Sequence, residues 1–267
     1  MNIELKSVEQ HVMELCHDVG EFIRVESMSF DRSRILQKEG FNNLVSYVDK
    51  ESEKKLVSTL SRLIPGSGIL GEEGASVEST NGYLWIIDPL DGTTNFTHGL
   101  PPFAISIGLT RNDNPVLGVV YEVTKQEMFH AVEGHPAYCN DRLIRTSPVT
   151  TLNESLFSTG FPYYDFPQIE AYLGIIRKFL RNSHGVRRLG SAATDLAYVA
   201  AGRFEGFFEY NLNPWDVAAG AFIVQQAGGR VSDFRGGNNF LYGKEICAAG
   251  AGIHAAMQSL IAEEWGY

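Results

Sequence analysis

The residues best equipped for chemistry stand in one short run, Asp88-Pro89-Leu90-Asp91-Gly92-Thr93-Thr94, directly after the apolar Leu84-Trp85-Ile86-Ile87. Two carboxylates, a glycine and two hydroxyls at the end of a buried strand suit the holding of hard cations beside an anion. Pro89 lacks a backbone N–H for a ladder, so it is expected to stop the strand and leave Asp88 and Asp91 at its end. Gly92 lets the backbone come close to a ligand. If Thr93 and Thr94 open a helix, their N–H groups and the positive end of its dipole favour a phosphate. The same letters also spell a turn, because Pro-Leu-Asp-Gly between strands is good hairpin chemistry.

Other acids stand at the starts and ends of expected elements. Glu72 and Glu73 lie in Gly71-Glu72-Glu73-Gly74 after a brief strand at Ile69-Leu70; adjacent glutamates are, on their own, most often solvated. Asp49 opens an expected helix, 49–63, with a stripe of Leu56, Leu60 and Leu63 and a stop at Pro65-Gly66, so an N-cap role alone would account for it. Glu209 ends an aromatic strand, 204–210. Asp216 falls in the first turn of a helix started by Pro214 and ended by Gly228-Gly229, where an acid also compensates the dipole. The glycine-rich stretch 65–71 lacks the lysine and spacing of a phosphate-binding P-loop.

The elements that must position these acids read as α/β. Leu5, Val8, Val12, Leu15, Val19, Phe22 and Ile23 recur at three- and four-residue steps and predict an amphipathic helix over 4–25. A polar segment, 27–40, carrying Lys38, is expected to be mobile. Runs at 103–109, 116–121 and 127–131 predict an antiparallel meander. A strand at 155–159 begins a second half, followed by helices at 167–180 and 191–201, the latter capped by Ser191 and stopped by Gly202. Strands at 230–234 and 245–249 and a helix at 252–265 complete the chain.

With 267 residues and 44% hydrophobic content, the chain can bury a large core as one domain or two intimately packed halves. A net charge of -10 without a Lys/Arg cluster argues against a nucleic-acid surface, and an acidic enzyme would need metal ions to bind an anionic substrate. No run of ~18 apolar residues could span a bilayer. The charged N-terminus lacks the apolar core of a signal peptide, so a cytoplasmic protein is expected. Cys16, Cys139 and Cys247 suggest neither disulfides nor a zinc site, and none of the seven histidines has metal-ligand spacing. Any metal would be held by oxygen.

Three blocks in order, Gly71-Glu72-Glu73, Trp85-Ile-Ile-Asp88-Pro-Leu-Asp91-Gly-Thr-Thr-Asn95-Phe96 and Pro214-Trp215-Asp216-Val-Ala-Ala-Gly220, resemble the signatures of the inositol monophosphatases. Together they span most of the chain, and their joint occurrence outweighs the turn, cap and surface readings of the single motifs. The resemblance implies a layered αβαβα sandwich, a single domain over 1–267 with approximate halves 1–145 and 146–267, and a homodimer. It also implies Mg²⁺, two ions or three. Glu72, Asp88 and the carbonyl of Leu90 would hold the first; Asp88, Asp91 and Asp216 would hold the second; Glu72 could hold a weaker third.

By the same resemblance, Thr93 and Glu72 orient the attacking water, Asp49 holds Thr93, and the Gly92 and Thr93 N–H groups cradle phosphate, with no covalent intermediate. Asp91, Ala192 and Glu209 match substrate-binding positions, and Lys38 matches a lysine that helps close the site. The implied activity is hydrolysis of myo-inositol 1-phosphate or a similar polyol phosphate. The alternatives are fructose 1,6-bisphosphate or a 3′(2′),5′-bisphosphate nucleotide, for which Arg187-Arg188 is the nearby basic candidate, or a regulatory role in bacterial transcription. The Gly160-Phe161-Pro162 loop and the Gly134-His135-Pro136-Ala137 turn depart from the animal-enzyme pattern.

Overall fold

The computed structural model describes residues 3–31, 33, 36–37, 44–162 and 167–266. Helix α1 (Leu5–Ser27) buries Val8, Val12, Cys16, Val19 and Ile23, one stripe of a 3.6-residue period. After a small antiparallel ribbon, β1 (Leu36–Gln37) and β2 (Leu44–Val45), comes α2 (Tyr47–Leu63). An eight-stranded sheet follows: β3 (Gly68–Gly71), β4 (Ser76–Val77), β5 (Tyr83–Asp91), then, past α3 (Thr93–His98), β6 (Ala104–Arg111), β7 (Asn114–Glu122), β8 (Glu127–Val132), β9 (Tyr138–Cys139) and β10 (Arg142–Leu143). Its order is β10-β9-β8-β7-β6-β5-β3-β4, with β3 and β5 the parallel pair.

The second sheet has five strands: β11 (Leu156–Thr159), β12 (Gly185–Arg187), β13 (Gly206–Tyr210), β14 (Gly229–Ser232) and β15 (Glu245–Gly250), in the order β12-β11-β13-β15-β14. Helices α4 (Ile169–Asn182) and α7 (His254–Trp265) cover its outer face; α5 (Ala192–Ala200) and α6 (Pro214–Gln226) fill the space between the sheets. The layers alternate αβαβα. Alternation along the strands explains this: Ile86, Ala104 and Val120 face α5 and α6, while Trp85, Ile87, Ile105 and Val119 face α1 and α2. In the second sheet Phe207, Ile246 and Ala248 point to the central helices, and Phe208, Cys247 and Ala249 to α4 and α7. No described helix is long and apolar enough to cross a membrane.

A helix wedged between two sheets must be apolar all round, and α6 is buried continuously from Val217 to Val224. It lies against the large sheet at Gly108 and Gly118, which oppose each other in β6 and β7. A Cβ at Gly108 would stand 2.9 Å from the Ala218 Cβ, and one at Gly118 2.6 Å from the Ala219 carbonyl oxygen. Bare backbone there sets the depth of α6, and so the position of Asp216 in its first turn.

Two local expectations are corrected. Pro89 does not end its strand: β5 runs on to Asp91, and because Asp88 faces Ser106 while Asp91 faces Ala104, Pro89 and Leu90 together oppose Ile105 alone on β6. This bulge absorbs the missing N–H of Pro89, and β5 then enters α3 rather than a hairpin. The N-cap of α2 is Ser46, not Asp49; Asp49 is the N3 partner of a reciprocal capping box. The short strands β4, β9, β10 and β12 were not expected, being too brief to show a period.

Candidate functional site

A cavity of about 110 Å³ opens between the two sheets and is lined by Glu72, Asp91, Ala192, Asp195, Glu209 and Asp216, together with Arg188 and the Gly160-Phe161-Pro162 loop. Seven separate elements or loops therefore meet in one place. Glu72 sits in the turn between β3 and β4, whose shape is set by Glu53 of α2: its carboxylate accepts hydrogen bonds from Glu73 N at 2.8 Å and Ala75 N at 3.1 Å. A side chain at Gly71 would collide with that carboxylate.

The bulge turns Asp88 inward, where it is 2% exposed and its Oδ1 accepts from Leu90 N at 2.9 Å. Asp91 reaches across to the second half: its Oδ2 accepts from Ser191 Oγ at 2.6 Å and from Ala193 N at 2.7 Å. Ser191 is also the N-cap of α5. Asp216 is the N3 residue of α6, and its Oδ2 accepts from Asn213 N at 2.6 Å. The Thr93 hydroxyl lies 2.8 Å from Asp49 Oδ1 and 3.1 Å from the Leu90 carbonyl, while Asp49 Oδ2 accepts from Ser46 N at 2.8 Å.

Gly92 adopts φ +92° and is the N-cap of α3; a Cβ there would stand 3.1 Å from the carbonyl oxygens of both Gly190 and Pro102. Asn95 ties the same corner, donating from Nδ2 to Pro102 O and Leu189 O, each at 2.8 Å. The start of α3 is thus held against the segment that leads into α5.

Like charge accumulates at this site. Burial, with the fields of Glu72, Asp91 and Asp216, pushes Asp88 well above the usual carboxylate range. Asp216 is raised in the same sense by burial and then by Glu72 and Asp91. Burial lifts Asp91 to about 6 against the hydrogen bonds from Ser191 and Ala193, and lifts Asp49 to about 6 against those from Ser46 and Thr93. Glu209 is pushed well up by burial and by Asp195, with Arg188 opposing. Among the described residues, no three such side chains are already gathered at metal-ligating distance. Asp88 and Glu72 nevertheless stand close enough for a side-chain hydrogen bond, and a cation would relieve the crowding of like charge. The donor set is hard oxygen throughout, which fits Mg²⁺ and not a soft-ligand metal.

Of the residues singled out in the sequence, Glu72, Asp91, Ala192, Glu209 and Asp216 share the cavity, Asp88 lies in the field of three of them, and Thr93 bonds Asp49. Leu90 is fully buried. Lys38 falls outside the described residues. Glu53, Asn95 and Asp195 were not singled out. For Glu53 a signal existed: the buried face of α2 runs Asp49, Ser52, Glu53, Leu56, Leu60, so the stripe turns from apolar to acidic toward the cavity.

The inositol monophosphatase family model matches residues 4–265. A putative Nus factor SuhB of Neisseria meningitidis serogroup B is 46% identical over 222 residues, 83% of this chain and 85% of that one. The crystal structure of the extragenic suppressor protein suhB of Bartonella henselae superposes with a TM-score of 0.90 at 36% identity, covering 96% of this chain and 98% of the other. The IMPase of Thermotoga maritima gives 0.86 at 34% identity, with 96% of each chain covered.

Proposed function

The chain belongs to the inositol monophosphatase family, and from that premise we propose that it is a Mg²⁺-dependent phosphatase whose substrate is myo-inositol 1-phosphate or a closely similar polyol phosphate. The observation that carries this reading is the meeting of Glu72, Asp91, Glu209 and Asp216 in one cavity. Glu72, Asp88, Asp91, Asp216 and the Leu90 carbonyl would hold the cations, which when bound neutralise phosphate charge and acidify water. Asp49 fixes the Thr93 hydroxyl by accepting its hydrogen bond, so that Thr93 and Glu72 can orient the attacking water. The N–H groups of Gly92 and Thr93 cradle phosphate oxygens, their approach unobstructed because Gly92 has no side chain.

At the other end of the cavity, Glu209, Asp91 and the backbone of Ala192 receive hydroxyls of the departing alcohol. A carboxylate such as Glu209 accepts from adjacent hydroxyls and disfavours a second phosphate, which supports a monophosphate over the bisphosphates; Arg188 is the cavity's one basic residue among those described. No residue forms a covalent bond to phosphorus in this scheme. Phosphate release from myo-inositol 1-phosphate, fructose 1,6-bisphosphate and adenosine 3′,5′-bisphosphate, each with Mg²⁺ and with chelator, tests it. The first should be turned over fastest and only with Mg²⁺; preference for a bisphosphate, or turnover indifferent to chelation, would overturn it.

Relatives named Nus factor SuhB support a second, compatible reading, a regulatory role beside the transcription machinery. A net charge of -10 points that role toward a protein partner rather than nucleic acid.

A further inference from the structure

The cavity floor contains one carboxyl group that the proposed chemistry leaves unused. Asp195 lies in the first turn of α5, behind Ser191, and lines the same cavity as Ala192 and Glu209. It is 1% exposed, and its Oδ1 is buried with no hydrogen-bond partner among the described residues. The Ser158 hydroxyl is the side-chain partner that faces it, itself without a bond of normal length, so the carboxyl is only weakly paired, an arrangement that native structures rarely keep unless a ligand or a water completes it. The groups that face Asp195 are the Ser158 hydroxyl on β11, Asp91 at the end of β5, Arg188 before α5 and Glu209 on β13. Apolar replacement would be simple here, since every other residue of α5 from Leu196 to Ala200 is a buried hydrophobic one.

We propose that Asp195 is a specificity-determining residue: its Oδ1 pairs with a hydroxyl of the substrate's alcohol, beside the one taken by Glu209. The substrate class is then a phosphate monoester whose alcohol carries hydroxyls remote from the ester, far enough to reach the cavity floor. A short alcohol such as glycerol gains nothing from Asp195. This inference rests on the polyol-phosphatase reading and deepens it.

The test measures binding of myo-inositol 1-phosphate and of glycerol 2-phosphate by calorimetry, with Ca²⁺ in place of Mg²⁺, to the wild-type protein, Asp195→Leu and Asp195→Asn. Replacing a weakly paired buried carboxyl by a similar-sized apolar group is expected to leave the melting temperature equal or higher. Asp195→Leu should nevertheless bind myo-inositol 1-phosphate about tenfold more weakly, the loss of one good hydrogen bond. Asp195→Asn, which still donates and accepts, should stay within about twofold of wild type, and glycerol 2-phosphate affinity should shift by less than about twofold in both. Unchanged inositol phosphate binding in Asp195→Leu, equal losses for both ligands, or a destabilised Asp195→Leu would each overturn the proposal. If the wild-type protein binds myo-inositol 1-phosphate yet releases no phosphate from it with Mg²⁺, the phosphatase reading fails, and the Asp195 proposal is still decided by the binding comparison.

Discussion

At the scale of single residues, the acids of the cavity trade stability for function. Asp91 illustrates this: burial raises it to about 6, yet two donors from α5 hold it in place. Asp91→Asn keeps an oxygen for Ser191 and Ala193 while removing a negative charge from a crowded site. Phosphate release with Mg²⁺ should fall by at least on the order of 10²-fold, while the melting temperature in chelator stays equal or rises. Near-normal turnover would remove Asp91 from the machinery. The residue types alone announced the acids of the signature blocks. For Glu53 the signal lay only in its place on the buried stripe of α2, because by residue type a glutamate within a helix of alternating charges looks solvated until its two backbone partners at Glu73 and Ala75 are seen.

At the scale of elements, what matters is how each acid's scaffold is seated. Helix α2 starts with a Ser46 cap whose reciprocal partner is Asp49, so one box both nucleates the helix and aims the carboxylate at Thr93. Helix α6 is seated on Gly118, where any Cβ meets the Ala219 carbonyl. Gly118→Val should therefore push α6 from the sheet, cost about 1–3 kcal/mol by overpacking in a urea titration, and lower turnover through misplaced Asp216. A variant as stable and active as wild type would show that the helix depth is not set there. Amphipathic periods and caps made α1, α5, α6 and the β6–β8 meander legible. The bulge in β5 was not, since it is the pairing with β6 that decides whether a proline ends a strand or is accommodated in it.

At the scale of the whole molecule, burial of the carboxylates, and after it their like charges, make metal-free stability depend on pH. An unfolded aspartate titrates at ~3.9; in the folded chain Asp91 and Asp49 are raised to about 6, and Asp88, Asp216 and Glu209 are raised well above their ordinary values. The folded state thus binds more protons than the unfolded one across that window, so stability falls as pH rises from about 4 through 6 and beyond. At the acid end Glu9 acts oppositely: burial raises it, but bonds from His130 and Lys6 outweigh that and hold it below its ordinary value, so its contribution is lost as pH falls. In chelator, a melting series should show a higher midpoint at pH 5.5 than at 7.5, and Mg²⁺ should restore more at pH 7.5 than at 5.5 because protons compete for the same oxygens. A flat profile would mean that neither burial nor their neighbours' charge raises these carboxylates in the folded chain. From the sequence alone came the identity of the acids, the elements that carry them and the family they resemble, because periodicity, caps and motif spacing are properties of neighbours a few residues apart. Only the tertiary structure decided that Asp91 meets Ala193, that Asn95 meets Leu189 and that Asp195 shares a cavity with Glu209. Those meetings join residues brought together by sheet order and layer packing, which no local pattern encodes.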